Sequence, residues 1–246
     1  AVARLRRGLH FDRTRIVYYL RNFVTTPYSL WQESVKHRDE RTFERFAADL
    51  FLDPFREIVY DVGRTLGAFE SAFGREAIEL HVYDDVVNGK GDILGHFWKD
   101  VLGSPEKATL KKRANQSFHP AATELLRICN LRGYSNQFLF RDNPEWKAFL
   151  EALREIAPRH QRTITVDYGT VFGEVERRVL DRWQDRIVGH RPGDVLFKER
   201  SATLAYMDPD LWYREPALFD RLRTLLAGLP AMKAPERRPQ DGSSEA

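Results

Sequence analysis

Residues 16–20, Ile-Val-Tyr-Tyr-Leu, are apolar, β-branched or aromatic at every position, with no polar alternation. Such a run cannot be the solvent-facing strand of an antiparallel sheet and reads as a buried strand. From Pro27 the character changes. Tyr28, Trp31 and Val35 recur at helical spacing, so a helix is expected over 27–37, with Thr26 as N-cap and Pro27 at the first position, where its missing N–H costs nothing. Between the two stands Arg21, a permanent cation at the strand's carboxyl end, eight residues before Ser29 in the first turn of the helix.

The rest of the chain supplies a second strand and many helices. Ala77–Tyr83 alternates Ile78, Leu80 and Val82 inward and is closed by Asp84 and Asp85. Helices are expected over 41–50, 54–73 (with Ile58, Val59, Val62, Leu66 and Phe69 as its stripe, stopped by Gly74), 93–102, 119–131 with Pro120 near its start, 144–156, roughly 171–188 and about 216–226. Strands alternating with helices indicate an α/β chain with a parallel sheet. Two strands are too few to close such a sheet, so the expectation is a P-loop-like parallel sheet lacking its N-terminal strand, with a largely helical C-terminal half. The domain is expected to span residues 1–232, with a disordered Pro-, Ser- and charge-rich tail over 233–246.

Composition narrows the chemistry. The one cysteine, Cys129, lies in an apolar helical run and excludes a disulfide framework or a cysteine-rich zinc site. The net charge of +3 comes from 39 basic and 36 acidic residues interspersed along the chain, so no basic block favours nucleic acid. No apolar run approaches about 18 residues, so no membrane span is expected. No secretory leader is visible, which points to the cytoplasm. His10, His37, His81, His96, His119, His160 and His190 show no metal-ligand spacing. His119, before Pro120, reads as a helix-start residue. No Gly-rich phosphate loop, HExxH or GxSxG pattern occurs.

In open α/β sheets ligands bind beyond the carboxyl ends of the strands, where helix N-termini present free N–H groups. Arg21 would add a forked, permanently charged donor there, and Ser29 a hydroxyl, a set suited to a phosphate monoester. On the residues alone, a solvated arginine and an ordinary first-turn serine explain the pattern equally well.

The strand ending Leu20-Arg21 and the helix carrying Ser29-Leu30-Trp31-Gln32 and Ser34-Val35-Lys36 resemble the 3′-phosphate-binding motif of sulfotransferases that use 3′-phosphoadenosine 5′-phosphosulfate (PAPS), in particular the bacterial sulfotransferase-like branch. Tyr83-Asp84-Asp85, GHFWKDVLGSP and KKRANQSFHPAATELLRICN look like further family segments in the expected order, so the resemblance covers most of residues 10–132. It implies sulfuryl transfer from PAPS as co-substrate to a hydroxyl acceptor, small or carbohydrate, with no metal. Arg21 and Ser29 would hold the 3′-phosphate. Lys112 and Arg113 would fold over the cofactor, unless they belong to a solvated basic loop, with Asn115 and Ser117 as weaker candidates on the same loop. Two departures stand out. The turn after the arginine is Asn22-Phe23-Val24 rather than polar and acidic, and the family's phosphosulfate loop is not visible and is expected upstream of Ala1. The catalytic base is therefore unassigned, since His10 sits in no base motif. Two other readings stay open: a non-catalytic nucleotide- or anion-binding domain, and a nucleotide-sugar glycosyltransferase of envelope polysaccharide synthesis.

Overall fold

A computed structural model describes residues 13–90, 92–104, 118–134 and 143–228. The fold is mixed α/β. Its elements are β1 (Ile16–Leu20), α1 (Thr26–Lys36), α2 (Phe43–Leu52), α3 (Val62–Phe73), β2 (Ile78–Val82), α4 (Tyr83–Lys90), α5 (Ile93–His96), α6 (Pro120–Leu131), α7 (Pro144–Ile156), β3 (Gln161–Asp167), α8 (Tyr168–Val171), α9 (Gly173–Trp183), β4 (Ser201–Met207), α10 (Leu211–Arg214) and α11 (Pro216–Ala227). They fall into two compact units, one of residues 1–31, 43–117 and 163–206, the other of residues 32–42, 118–162 and 207–246.

The first unit holds a small parallel sheet. β1 pairs with β2 in a register that sets Ile16 opposite Ile78, Tyr18 opposite Leu80 and Leu20 opposite Val82. On the other side of β2, Ile187 makes a parallel bridge to Leu80, and the Val188 N–H donates to the Leu80 carbonyl at 2.9 Å. β2 is thus flanked on both edges, which explains why Ile78, Leu80 and Val82 are all buried. β1 was expected to be buried throughout, yet only Leu20 is; its other residues are half-buried because no further strand pairs with it among the described residues.

The core of this unit is aromatic. Phe172 stacks on Tyr60 at 4.9 Å between centroids and 8° between planes, and Phe23 packs against Tyr60, Tyr168, Phe172 and Phe197. The C-terminal half also carries strands that the sequence reading left out. β3 and β4 form a second two-stranded sheet. The Tyr168 N–H donates to the Arg200 carbonyl, and the Thr165 and Thr203 hydroxyls meet at 3.3 Å, so as one strand advances the other retreats and the pair is antiparallel.

The segment 54–73, expected as one helix, is broken. A 3₁₀ turn spans Pro54–Arg56, and α3 starts afresh where the Asp61 carboxylate accepts the Arg64 N–H. Ile58, assigned to the apolar stripe, is exposed. The expected helix 93–102 splits into α5 and a π-helical turn over Phe97–Val101. Thr26 is the first residue of α1 rather than its cap, and its hydroxyl donates to the Asn22 carbonyl at 2.7 Å.

The second unit packs α6, α7 and α11 around Leu125, Cys129, Phe149, Leu153 and Leu222. Buried polar groups fasten it. Glu124 and Arg127 form a two-pronged ion pair at 2.7 Å, and the Trp212 indole donates to the same carboxylate at 2.8 Å. Gln32 donates to the Phe118 carbonyl and the Thr123 hydroxyl, and Asn130 donates to the carbonyls of Val35 and Asp39. No described helix is long and apolar enough to cross a membrane.

Candidate functional site

The parallel pairing sends the carboxyl ends of β1 and β2 to the same edge, and each strand is followed closely by a helix. That edge is built on the turn 21–25, where alternate residues part company. Arg21 is exposed, whereas Asn22, Phe23 and Val24 are buried. Phe23 anchors the turn in the aromatic core, and its carbonyl accepts from the Tyr60 hydroxyl at 3.4 Å.

Asn22 is the brace. Its backbone N–H donates to Asp84 Oδ2 at 3.0 Å and its side-chain amide to the Glu199 carbonyl at 2.9 Å. Its Oδ1 accepts the Val24 N–H at 3.1 Å, and its carbonyl accepts the Thr25 and Thr26 hydroxyls. The departure Asn22-Phe23-Val24 therefore serves to fix the backbone on which Arg21 stands.

Arg21 lies with its guanidinium carbon 5.1 Å from the centre of the Tyr83 ring. A cation over a tyrosine face is held in place while its N–H fork stays open to a further partner. Among the described residues no ion pair engages this guanidinium. Its charge reaches Tyr60, whose hydroxyl pKa is raised chiefly by burial and by Glu57, against the lowering effect of Arg21.

The two helix starts at this edge differ electrostatically. The first turn of α4 contains Asp84 and Asp85, so its positive end is already matched by its own carboxylates. Asp85 also faces Lys198 at 3.3 Å, a pair of two exposed side chains worth little. The first turn of α1 contains no acidic residue, and half-buried Ser29 sits within it. Among the described residues, the positive potential at this edge that no carboxylate matches comes from Arg21 and the start of α1.

Two of the four binding residues expected from the sequence, Arg21 and Ser29, therefore belong to this edge. Lys112 and Arg113, with Asn115, Ser117 and His10, lie outside the described residues. Asp84 and Asp85 are structural partners, of the Asn22 N–H and of Lys198. His119 caps α6 by accepting the Ala121 N–H at 3.2 Å, and burial together with the nearby Arg154 charge lowers its pKa. Gln32, part of the family-like run, is committed to holding the start of α6.

Sequence reasoning missed Tyr83 as the support for Arg21. It also missed the polar side chains on one face of the sheet: Arg15, Tyr19, Glu79 and His81. The signal was present in β2, where Glu79 and His81 alternate with the apolar stripe at the period of a strand, and in Tyr83 directly after it. Among the described residues, no three His, Cys, Asp or Glu side chains come together so as to hold a metal ion. No protein-family model matches the chain, and no curated protein or solved structure is significantly similar to it.

Proposed function

We propose that the carboxyl edge of β1 and β2 binds the phosphate of a nucleotide, and that the chain is the central and C-terminal part of a P-loop-like sulfotransferase using PAPS. The observation that carries this reading is Arg21 itself. It is exposed at the end of a parallel strand, supported by the Tyr83 ring, without an ion pair among the described residues, and followed by a helix start free of acidic residues. A guanidinium so placed offers two parallel N–H donors to a phosphate monoester, and the α1 N-terminus and the Ser29 hydroxyl supply the other side.

In this reading Arg21 and Ser29 hold the donor nucleotide and leave the transfer to other groups. In-line sulfuryl transfer forms the bond from the acceptor oxygen to sulfur as the bond from sulfur to the 5′-phosphate oxygen breaks. The acceptor proton goes to a base, and adenosine 3′,5′-bisphosphate leaves. The clamp's contribution is orientation of that leaving group.

The test is calorimetric titration with adenosine 3′,5′-bisphosphate. Wild type is expected to bind, and Arg21→Ala to lose about 1.5–3 kcal/mol, the worth of a charged hydrogen bond. Equal binding by both proteins removes the site. Binding of a nucleotide sugar in preference to the bisphosphate overturns the sulfotransferase reading.

A further inference from the structure

The loop that leads into β4 runs alongside the turn that carries Arg21. The Glu199 carbonyl accepts the Asn22 side-chain amide at 2.9 Å, so Arg21 and Lys198 are the chain neighbours of the two ends of one hydrogen bond. One residue before Lys198, the Phe197 ring meets Phe23 edge to face at 5.1 Å. A second link runs through the start of α4. Arg21 lies over the Tyr83 ring, the Asn22 N–H reaches Asp84 at 3.0 Å, and Lys198 Nζ lies 3.3 Å from Asp85 Oδ1. Tyr83, Asp84 and Asp85 are thus met in turn by Arg21, Asn22 and Lys198.

The loop is also held from behind. Glu176 Oε1 accepts the Leu196 N–H at 2.9 Å, and both Glu176 oxygens accept from Arg200, at 3.0 and 2.8 Å. The Arg200 guanidinium lies 3.9 Å from the centre of the Tyr168 ring, and its carbonyl accepts the Tyr168 N–H. Leu196 and Phe197 are buried. Lys198 is the contrary case: its side chain is 88% exposed, and Asp85 is its one ion-pair partner among the described residues. An exposed pair of this kind holds the ammonium loosely, on a backbone fixed from both sides.

We infer that Lys198 is a second binding residue of the anion site, and that the site takes a ligand with two anionic groups, one for Arg21 and one for Lys198. The inference rests on the reading of the carboxyl edge as an anion site. The Arg21 fork and the start of α1 are sufficient donors for one phosphate monoester. On the α4 side, Asp84, Asp85 and the exposed Glu199 repel a further anion, and Lys198 is the cation set against them. When it leaves Asp85, the ammonium exchanges a weak exposed pair for a ligand oxygen already held by another cation. A point charge on a flexible stem suits that exchange, as the planar Arg21 fork, resting on Tyr83, suits a fixed contact.

Adenosine 3′,5′-bisphosphate and adenosine 3′-monophosphate differ by one phosphate and serve as the probes. Calorimetry at low ionic strength is expected to show Arg21→Ala weakening both. Lys198→Gln is expected to weaken the bisphosphate about three- to tenfold and to leave the monophosphate within about twofold of wild type. Lys198→Arg should keep most of the bisphosphate affinity, and about 0.5 M salt should erase most of the Lys198 effect. Because the Lys198 side chain is exposed, its replacement leaves the core untouched. Unchanged bisphosphate affinity in Lys198→Gln, with both ligands weakened in Arg21→Ala, overturns the role of Lys198 and leaves the anion site intact. Equal weakening of both ligands by Lys198→Gln overturns the two-anion assignment. No binding of either nucleotide, or binding indifferent to Arg21→Ala, overturns the anion site and the inference together.

Discussion

Arg21 and Glu79 show how one residue's surroundings decide what its charge is for. Among the described residues Arg21 has no ion pair, and its neighbours in the turn are turned inward and tied down by Asn22. Glu79 is closed, held between Arg15 and His81. Its folded-state pKa lies below the usual carboxylate value of 4.5: burial pushes it up, but the Arg15 and His81 hydrogen bonds pull it further down. A depressed carboxylate pKa contributes stability above the unfolded value, and that contribution is lost as pH falls below it towards the folded value. Urea denaturation is therefore expected to show Glu79→Gln less stable than wild type by about 1–3 kcal/mol at neutral pH. The gap should narrow in acid below pH 4.5; a gap that persists unchanged there would exclude the carboxylate as its source. Cys129 is the opposite case. It is fully buried, burial pushes its thiol up to about 12, and it is a core residue rather than a nucleophile.

At the scale of elements, ends were harder to place than middles, because an end depends on one side chain. The expected helix 54–73 has a continuous apolar stripe, yet Asp61 starts a new helix inside it. The expected helix 144–156 is observed as α7 with the same bounds. There Asn143 accepts the N–H groups of Glu145 and Trp146, and Pro144 takes the first position. Asn143→Ala is expected to cost about 1 kcal/mol of unfolding free energy. Asn143→Asp should keep most of that stability, because its carboxylate accepts the same two N–H groups. Circular dichroism during urea titration distinguishes the two. Gly74, read as the stop of α3, has φ 84° and ψ 155°, a conformation open only to glycine, and its N–H closes the helix on Glu70. β3 escaped notice although Arg162, Thr163, Ile164, Thr165 and Val166 alternate in the manner of a strand; its partner, β4, lies more than thirty residues away in sequence. A strand whose partner is distant gives no local turn signal.

At the scale of the molecule, each unit has its own apolar centre, and one fully buried phenylalanine stands in each: Phe172 against Tyr60 and Phe23 in the first, Phe149 among Leu125, Leu153 and Leu222 in the second. Truncating either to alanine removes a large buried ring and leaves a cavity, with an expected loss of about 3–5 kcal/mol. Hydrogen exchange should place the lost protection of Phe172→Ala in α9 and the turn after β1, and that of Phe149→Ala in α6 and α11. Protection lost evenly over the whole chain would contradict separate centres. The sequence by itself determined the two parallel strands, most of the helices and the placing of Arg21 and Ser29 around one turn, because periodicity and chain order are local properties. What only the tertiary structure decided is which charges are already matched. Arg21 rests on a tyrosine 62 positions away in sequence, Asp84 is taken by a backbone N–H, and Glu79 is shared between a cation and an imidazole. Electrostatic pairing acts through space, so no local pattern could reveal which cation at the strand ends has no ion pair among the described residues.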